Sequence, residues 1–412
     1  MSEQINELDI ETDVLDVGSD STLYSALSAY QNKSYSEALN TLMPEMEADK
    51  SGIYASLIGN CYQKLGSIND AIRYWQKAIS KNPTCYRAFI GLGNVYYTQN
   101  NIKQALIYWH IAHSIVPENT QINYNLATAY SRKDDRFNAL YYYEKFIKYS
   151  EKATSRDYVY VSKLILGFRN KAMELIRKGS KAICDDNINQ GVQFFIKATK
   201  NYPMIPKVVQ NIAKIFSCDR NFRKAIEYYK MAIKIDDKLK VCLVDIANCY
   251  VQLKQYDLAY AYFMRFLSSC NRNSTAFASI EKVAAFAKGK RNPEYDTQSH
   301  FLKAIEHESN LEYREALEEF EIYRFLSKEN EERVSESIKK LNLMILPERE
   351  LVKNLIQRIE ELCSISDYET AIPLCDRIAR LAVLHSQEFM WANKKKQELR
   401  YTIFRKEEES KK

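Results

Sequence analysis

The chain has 412 residues, of which 46% are hydrophobic and 27% charged, with only 10 glycines and 8 prolines. That length fits two or three globular domains or one extended repeat array. The scarcity of glycine and proline disfavours a turn-rich sheet fold and favours long helices. The sequence contains no apolar run near the roughly 18 residues of a membrane span, no secretory signal at its first residues, and no CxxC pair among its nine cysteines. These features predict an all-α protein of the cytoplasm with reduced cysteines.

The net charge of +6 is the sum of oppositely charged blocks. Residues 1–20 contain seven acids and no Lys or Arg, so we expect residues 1–18 to be an acidic, disordered segment. Residues 172–273 carry a net charge of +8, and residues 304–336 carry a net charge of −7. Such blocks attract charged partners or one another, or they are solvated helix faces. The acidic blocks are therefore candidates to bind the basic region within the same chain.

One pattern occurs twice in the first part of the chain. "GNCYQKLGSINDAIRYWQKAISKNP" runs from Gly59 to Pro83, and "GNVYYTQNNIKQALIYWHIAHSIVP" runs from Gly93 to Pro117. Each copy reads as two helical runs around a polar break, with small residues where the helices approach, large aromatic residues beside them and a final proline. A lone hairpin cannot bury its apolar face, so the pattern predicts hairpins that stack on one another. The shared pairs are Gly59/Gly93, Tyr62/Tyr96, Ala71/Ala105, Trp75/Trp109 and Pro83/Pro117.

The second copy places aromatic, small and proline residues at a fixed spacing, namely Phe89, Leu92, Gly93, Tyr96, Ala105, Trp109 and Pro117. This spacing resembles the tetratricopeptide repeat, a helix–turn–helix unit of about 34 residues. The resemblance is specific, because a third copy at 120–153 continues the same register. It implies an all-α fold, an α-α superhelix (solenoid) of antiparallel helix pairs.

The small residue at position 20 of the repeat recurs as far as Ala371 and locates the remaining copies. Three of its intervals exceed the repeat length of about 34 residues, and each excess suffices for one extra helix and turn. These three inserted helices are predicted around 155–172, 274–296 and 331–351. The predicted organisation is a first array of four repeats at 19–153, an inserted helix at 154–171, a second array of three repeats at 172–273, degenerate repeat-like hairpins at 274–390, and a charged helix or tail at 391–412.

The sequence offers little for catalysis. It contains no phosphate-binding loop, zinc-protease motif, hydrolase elbow or kinase signature. His110 and His113 lie one helical turn apart and could present two nitrogens to a metal, but no nearby carboxylate or cysteine completes a site. We therefore expect both histidines on an ordinary helix surface, and we expect no metal, no cofactor and no enzymatic activity.

In the tetratricopeptide repeat family the first helix of each pair lines a concave surface, so the resemblance implies a peptide-binding groove there. Asn side chains both donate and accept hydrogen bonds, Tyr offers flat contact area, and Arg binds carboxylates. Asn60 and Asn94 recur at one repeat position, and helix packing does not account for them; the alternative is that they satisfy neighbouring polar groups. The groove candidates are Asn60, Lys64, Arg87, Asn94, Tyr97, Gln121, Tyr124, Asn125 and Arg132.

The first array does not match the carboxylate clamp with which some members of the family grip chaperone tails. Asn94 and Asn125 stand at the two asparagine positions of that motif. Ile90, Ser155 and Val159 stand where the clamp needs cations. We therefore do not expect this chain to capture a chaperone C-terminus.

A second groove is predicted within residues 172–273, where the corresponding positions are more basic and suit an acidic peptide. Nucleic acid is disfavoured, because Asp245 lies among these positions and aromatic residues for base stacking are lacking. A face that binds no ligand is the alternative. The candidates in this second groove are Arg177, Lys207, Gln210, Asn211, Lys214 and Asn248.

These positions and the family resemblance together predict a non-enzymatic protein–protein interaction module. It would act as an adaptor or scaffold that holds a peptide or helix of another protein in its groove, and an acidic peptide is one option. The alternative is a structural accessory subunit of a larger complex that docks through its outer or C-terminal surface. Neither prediction includes a nucleic acid or a membrane span.

Overall fold

Regular structure in the described part of the chain is entirely α-helical. The computed structural model describes residues 20–150, 155–270, 272, 274–382 and 386–410, with side chains as far as residue 405. Within these ranges 21 helices follow one another, and antiparallel neighbours form helix pairs. The predicted all-α class is therefore confirmed. The acidic segment 1–18, predicted to be disordered, lies outside the described residues.

The helices divide between two compact units. Unit 1 combines Met1–Ala153 with Leu346–Lys412, and unit 2 is Thr154–Ile345. The helices of unit 1 are α1 (Ser21–Gln31), α2 (Tyr35–Leu42), α3 (Ile53–Lys64), α4 (Ile68–Lys81), α5 (Tyr86–Thr98), α6 (Ile102–Ile115), α7 (Thr120–Arg132), α8 (Arg136–Tyr149), α19 (Pro347–Ser364), α20 (Tyr368–Leu381) and α21 (Gln387–Ser410). Those of unit 2 are α9 (Arg156–Cys184), α10 (Ile188–Asn201), α11 (Pro206–Cys218), α12 (Phe222–Ile235), α13 (Val241–Gln252), α14 (Tyr256–Ser268), α15 (Thr275–Gly289), α16 (Gln298–Ser309), α17 (Tyr313–Leu326) and α18 (Glu331–Ile345).

The tryptophans of the repeat fill the space that its glycines leave open. Trp75 is fully buried, and a Cβ atom added to Gly59 would lie 2.6 Å from its indole nitrogen. Gly91 of the next pair presses on the other side of the same ring, and Gly93 stands against buried Trp109 in the way that Gly59 stands against Trp75. Interiors packed at this density do not accept an added side chain without strain. The predicted small and large positions of the repeat are thus confirmed as packing partners.

The polar breaks inside the pairs are tight turns with a recurring local structure. Between α5 and α6, Asn100 adopts a left-handed backbone with φ of 61°, which asparagine tolerates better than most residues. Asn101 then caps α6, because its side-chain oxygen accepts a hydrogen bond of 3.2 Å from the backbone N–H of Gln104. Asp134 and Asp135 take the same two roles between α7 and α8. In these two breaks the polar residues therefore reverse the chain and start the second helix.

The predicted inserted helix at 154–171 is not a separate element, and this corrects the proposed boundary with the second array. It forms the first part of α9, which continues without interruption through Cys184. An insertion of about 18 residues completes five turns of α-helix. The repeat can therefore resume on the same helix in the same rotational phase, with no turn in between.

The hairpin formed by α19 and α20, here called the 347–381 hairpin, packs against the first array rather than after the second one. It belongs to the stretch 274–390 that was predicted to form degenerate hairpins, for which the sequence indicated no packing position. Arg377 Nε donates to Glu118 Oε1 at 2.6 Å, and Lys148 Nζ donates to the backbone oxygen of Leu381 at 3.3 Å. Lys145 also forms an ion pair with Glu348 in which both side chains are largely buried. Unit 1 is thus built from two distant parts of the chain.

The acidic block 304–336 does meet the basic second array, but through the second helices of the pairs. Helix α17 packs on α14 and sends its glutamates to cations of α12 and α14. Lys230 Nζ lies 2.9 Å from Glu318 Oε1, and Lys234 Nζ lies 2.6 Å from Glu315 Oε1. Arg265 pairs with Glu321 at 2.8 Å. This acidic block therefore neutralises cations of α12 and α14, the second helices of their pairs.

His110 and His113 are buried, which corrects the expectation that they lie on a helix surface. Their exposed fractions are 2% and 1%. The Nε2 atom of His110 lies 2.7 Å from the hydroxyl of Tyr130, and the ring of His113 stands edge-on to Tyr142 with centroids 5.3 Å apart. Burial lowers the pKa of His110 to about 3 and holds the pKa of His113 well below its usual range, with nearby cations adding to both shifts. Both imidazoles are therefore neutral inside the first array.

Replacing His113 with leucine is expected to make unit 1 less sensitive to acid. The unfolded imidazole has a pKa of about 6.5. As the pH falls through that value the unfolded chain gains a proton that the folded one refuses, which costs about 2 kcal/mol of stability by pH 5. Leucine removes this loss. It also removes two buried ring nitrogens that lack a hydrogen-bond partner in the described part of the chain. Urea unfolding followed by tryptophan fluorescence at pH 8 and pH 5 checks this, and equal pH dependence in both proteins would contradict it.

Candidate protein-binding faces of the two arrays

The predicted groove residues of the first array lie on α3, α5 and α7, the first helices of three successive pairs. We call the surface they line the first-array face. Lys64 and Arg132 are exposed on it, whereas Tyr97 and Asn125 are buried. The remaining members are partly exposed, namely Asn60, Arg87, Asn94, Gln121 and Tyr124. The face therefore offers cations and carboxamides to solvent, while part of its predicted set belongs to the core.

Helix packing does account for the two recurring asparagines, contrary to the sequence-based expectation. Asn60 Oδ1 accepts a hydrogen bond of 3.0 Å from the indole N–H of Trp75. Asn94 Oδ1 accepts one of 3.2 Å from Trp109 and another of 3.1 Å from Asn125 Nδ2. An asparagine on the first helix and a tryptophan on the second are thus a structural pair within each repeat.

The sequence contained a signal for this pair. In the repeat at 120–153 the two positions are Thr128 and Tyr143, so both members change together. In the second array Asn248 precedes Phe263, which has no N–H to donate, and there the asparagine is exposed. The asparagine is therefore hydrogen-bonded to the second helix where that helix carries a tryptophan, and it is exposed at Asn248, where the second helix carries a phenylalanine.

The indole bonds also fix which way each amide points. An indole N–H only donates, so the side-chain oxygen must face the tryptophan and the NH₂ group must face away. Among the described residues no acceptor binds Nδ2 of Asn60 or of Asn94. Both side chains are partly exposed. The first-array face therefore presents two oriented hydrogen-bond donors from successive repeats.

The aromatic residues of the face pack mainly against aromatic residues of the second helices. Tyr97 packs beside Trp109 with ring centroids 5.3 Å apart, and Tyr124 packs on Phe146 with centroids 5.4 Å apart. The guanidinium of Arg132 lies 4.3 Å above the ring of Tyr97, in the geometry of a cation–π contact. This contact holds the exposed arginine over the face, so less side-chain entropy is lost when the arginine binds a ligand. The charged residues predicted on this face are all cations, so it favours acceptor-rich ligands.

The corresponding surface of the second array, lined by α9, α11 and α13, is called the second-array face. Five candidates lie on these helices and all are exposed, namely Arg177, Lys207, Asn211, Lys214 and Asn248. Gln210 is partly buried, and its Nε2 donates to Cys242 Sγ at 3.4 Å. Burial raises the pKa of Asp245, although Lys214 partly opposes the shift. The face is therefore dominated by positive charge.

Sequence analysis missed an apolar row on α9. Val159, Leu166 and Met173 are 40%, 54% and 44% exposed and follow one another at heptad spacing. The predicted boundary after residue 171 divided this row between two elements, which concealed it. The heptad spacing along an unbroken run without proline was the available signal.

No group of three or more His, Cys, Asp or Glu among the described residues could hold a metal ion. No helix in the described ranges is long and apolar enough to cross a membrane.

Two stretches of the chain match family models. Residues 57–84 and residues 242–273 each match a model described as "Tetratricopeptide repeat". The first match covers the pair α3 and α4, and the second covers α13 and α14. One match thus falls in each of the two arrays. A search of curated protein sequences found no matching relative.

Solved structures of repeat proteins are similar to the chain at low sequence identity. The tetratricopeptide repeat domain of P58(IPK) is 16% identical, with 85% of this chain and 98% of that chain covered and a TM-score of 0.32. YrrB is described as a tetratricopeptide repeat protein with an unusual peptide-binding site. It is 19% identical, with 51% of this chain and 95% of that chain covered and a TM-score of 0.25. The TPR2AB domain of yeast Sti1 in complex with pHSP90 is 15% identical, with 66% of this chain and 97% of that chain covered and a TM-score of 0.26. At these identities and TM-scores the similarity says nothing about a shared ligand.

Proposed function

This chain is a tetratricopeptide repeat protein, and from that premise we propose that its first-array face binds an extended segment of a partner protein. Tetratricopeptide repeats are protein–protein interaction scaffolds and are generally non-enzymatic. The observation that carries the proposal is the pair of Asn–Trp hydrogen bonds, which orient the amide donors of Asn60 and Asn94 toward ligand. The ligand we propose is a peptide rich in hydrogen-bond acceptors, including acidic side chains.

An extended peptide supplies acceptors for the amide donors of Asn60 and Asn94. Along a strand, backbone carbonyls on one side recur about every 6.7 Å, so a single segment can meet donors from successive repeats. Lys64 and Arg132 are exposed at the ends of their helices and favour carboxylates through charge-assisted hydrogen bonds. Because the tryptophans already hold the two amides, little side-chain freedom is lost when the peptide binds.

The double variant Asn60→Asp with Asn94→Asp tests this proposal. Aspartate keeps the oxygen that accepts the indole bond, so the fold is retained, but an anionic acceptor replaces the outward donor. Peptides selected from a display library on the wild-type chain are expected to bind the variant at least about a hundredfold more weakly, since each unpaired buried group costs about 1–3 kcal/mol. Fluorescence anisotropy measures the affinity, and thermal unfolding checks the fold.

Asn248→Asp is the matched control, because it adds the same charge at the same repeat position of the second array. It is expected to leave the affinity of these peptides unchanged. The competing function is docking through the C-terminal surface, where α21 exposes Met390, Tyr401 and Phe404 by 63%, 63% and 54%. Peptides that bind the double aspartate variant as tightly as wild type, and are lost on Tyr401→Ser with Phe404→Ser, would establish that second function instead.

A further inference from the structure

Helix α9 exposes a narrow apolar row that nothing in the described part of unit 2 covers. The row consists of Val159, Leu166 and Met173, and we call it the α9 row. Elsewhere on the same helix Val161, Ala172 and Ala182 are buried. An exposed leucine alone is ordinary, but three apolar residues at heptad spacing on one helix form a seam about 20 Å long. A seam of this kind is typical of contact with another helix.

The five-turn length of the inserted part keeps the α9 row in line with the second-array face. Residues five turns apart on α9 point in the same direction, and five turns take about 18 residues. Val159 therefore shares its direction with Arg177, and Leu166 shares its direction with exposed Cys184. One continuous helix thus presents the lining positions of two repeats on a single straight face.

The surroundings of the α9 row are strongly basic. Helix α9 contains seven Lys or Arg residues against two acids, and one of those acids, Glu174, is paired with Lys178 at 2.6 Å. Lys163 and Arg169 are exposed within the stretch that carries the row. Lys171, between Leu166 and Met173, is exposed as well. A ligand for this surface needs both an apolar edge and negative charge.

We propose that the α9 row with its flanking cations binds an acidic amphipathic helix of a partner protein. Such a helix offers apolar residues on one edge to Leu166 and carboxylates on both sides to the flanking cations. A second copy of this chain does not fit, because it would bring two basic faces together. A membrane surface does not fit either, since interfacial helices insert a wide apolar face with Trp or Phe, whereas the large apolar residues that α9 exposes are this row and Tyr160. The binding helix runs along α9, apart from the peptide segment on the first array.

A library of helical peptides, each about 20 residues or roughly 30 Å long and randomised on one face, tests the proposal with the full chain as bait. The expected winners carry apolar residues at heptad spacing flanked by Asp or Glu. They are expected to lose affinity at least about tenfold on Leu166→Glu and to bind more weakly as salt rises. Leu166 is exposed, so the variant should unfold at the wild-type temperature, which calorimetry checks.

Leu302→Glu is the matched control, because Leu302 is a 65% exposed leucine on α16 of the same unit. Selected helices are expected to bind this control as they bind wild type. Selection of no acidic helix, or equal loss of affinity in both variants, would overturn the proposal. Binding of the wild-type chain to vesicles containing phosphatidylserine, abolished by Leu166→Glu, would also overturn it and identify the row as a membrane contact. Each of these results is independent of peptide binding at Asn60 and Asn94.

Discussion

Replacing Gly93 with leucine will destabilise unit 1 by about 3 kcal/mol or more, because the added side chain has no space beside Trp109. A Cβ atom alone at this position would already collide with the indole ring. The ring cannot retreat, since it is only 1% exposed and its nitrogen is bonded to Asn94. The helix pair α5 and α6 must then separate, and the stacking of the neighbouring pairs on it is lost.

The chain offers a convenient reporter and a matched control for this variant. Its three tryptophans, Trp75, Trp109 and Trp391, all lie in unit 1, so tryptophan fluorescence in urea follows that unit alone. Gly167 is also helical, but a Cβ atom there meets nothing within 4 Å. Gly167 belongs to unit 2, so Gly167→Leu is followed by far-UV circular dichroism in urea and is expected to be neutral or to stabilise by up to about 1 kcal/mol through helix propensity. A Gly93→Leu chain that unfolds at the wild-type urea concentration would refute the packing described here.

Glu318→Ala is expected to destabilise unit 2 by about 3 kcal/mol, because it removes a largely buried carboxylate and leaves Lys230 and the buried hydroxyl of Tyr262 without their partner. Glu318 lies 2.9 Å from Lys230 and 3.7 Å from Arg265, and it also accepts a hydrogen bond from Tyr262. Burial alone would raise the pKa of Glu318, but the two cations hold it below its ordinary value, so the carboxylate is ionised. Far-UV circular dichroism during urea unfolding measures the loss.

Glu315→Ala separates burial from charge, since Glu315 lies one turn earlier on the same helix. It pairs with Lys234 at 2.6 Å, but both side chains are about one third exposed. Exposed pairs contribute about 0–1 kcal/mol, so this variant should be nearly silent. If the two alanine variants lose the same amount of stability, the burial of Glu318 does not make its ion pairs more stabilising than the exposed pair of Glu315.

The parts of the fold that could be predicted from the sequence are those in which the same residue size is required at the same position of several repeats. Gly59 with Trp75 and Gly93 with Trp109 repeat a size constraint at constant spacing, so their packing could be inferred from the pattern. The asparagines show the limit of this reasoning. Their recurrence was visible in the sequence and was interpreted as a sign of ligand binding. The hydrogen bond that explains it depends on the direction of the indole N–H, which only the three-dimensional structure shows. The candidate residues lie on the first helices of their pairs, and their division between core and surface was not predictable.

Other features left no periodic trace in the chain. The boundary after residue 171 was wrong, because an insertion of about 18 residues completes whole turns and produces no break in the helix. The position of the 347–381 hairpin depends on single contacts such as Lys145 with Glu348, which lie 203 residues apart and obey no pattern. The burial of His113 against Tyr142 also depends on the packing of α8 on α6, which the single-helix pattern around His113 does not reveal.

The division of unit 1 between two distant parts of the chain has a consequence for its synthesis. Helices α1 to α8 leave the ribosome first, but the residues that cover Glu118 and Lys145 follow only after all of unit 2 has been made. At about 5–20 residues per second, this delay is on the order of ten seconds or longer. During that time the outer side of α6 and α8 is open, and Lys145 has no glutamate beside it. A nascent chain is thus a distinct molecular species, with a surface that chaperones can recognise and that disappears when residues 347–381 dock.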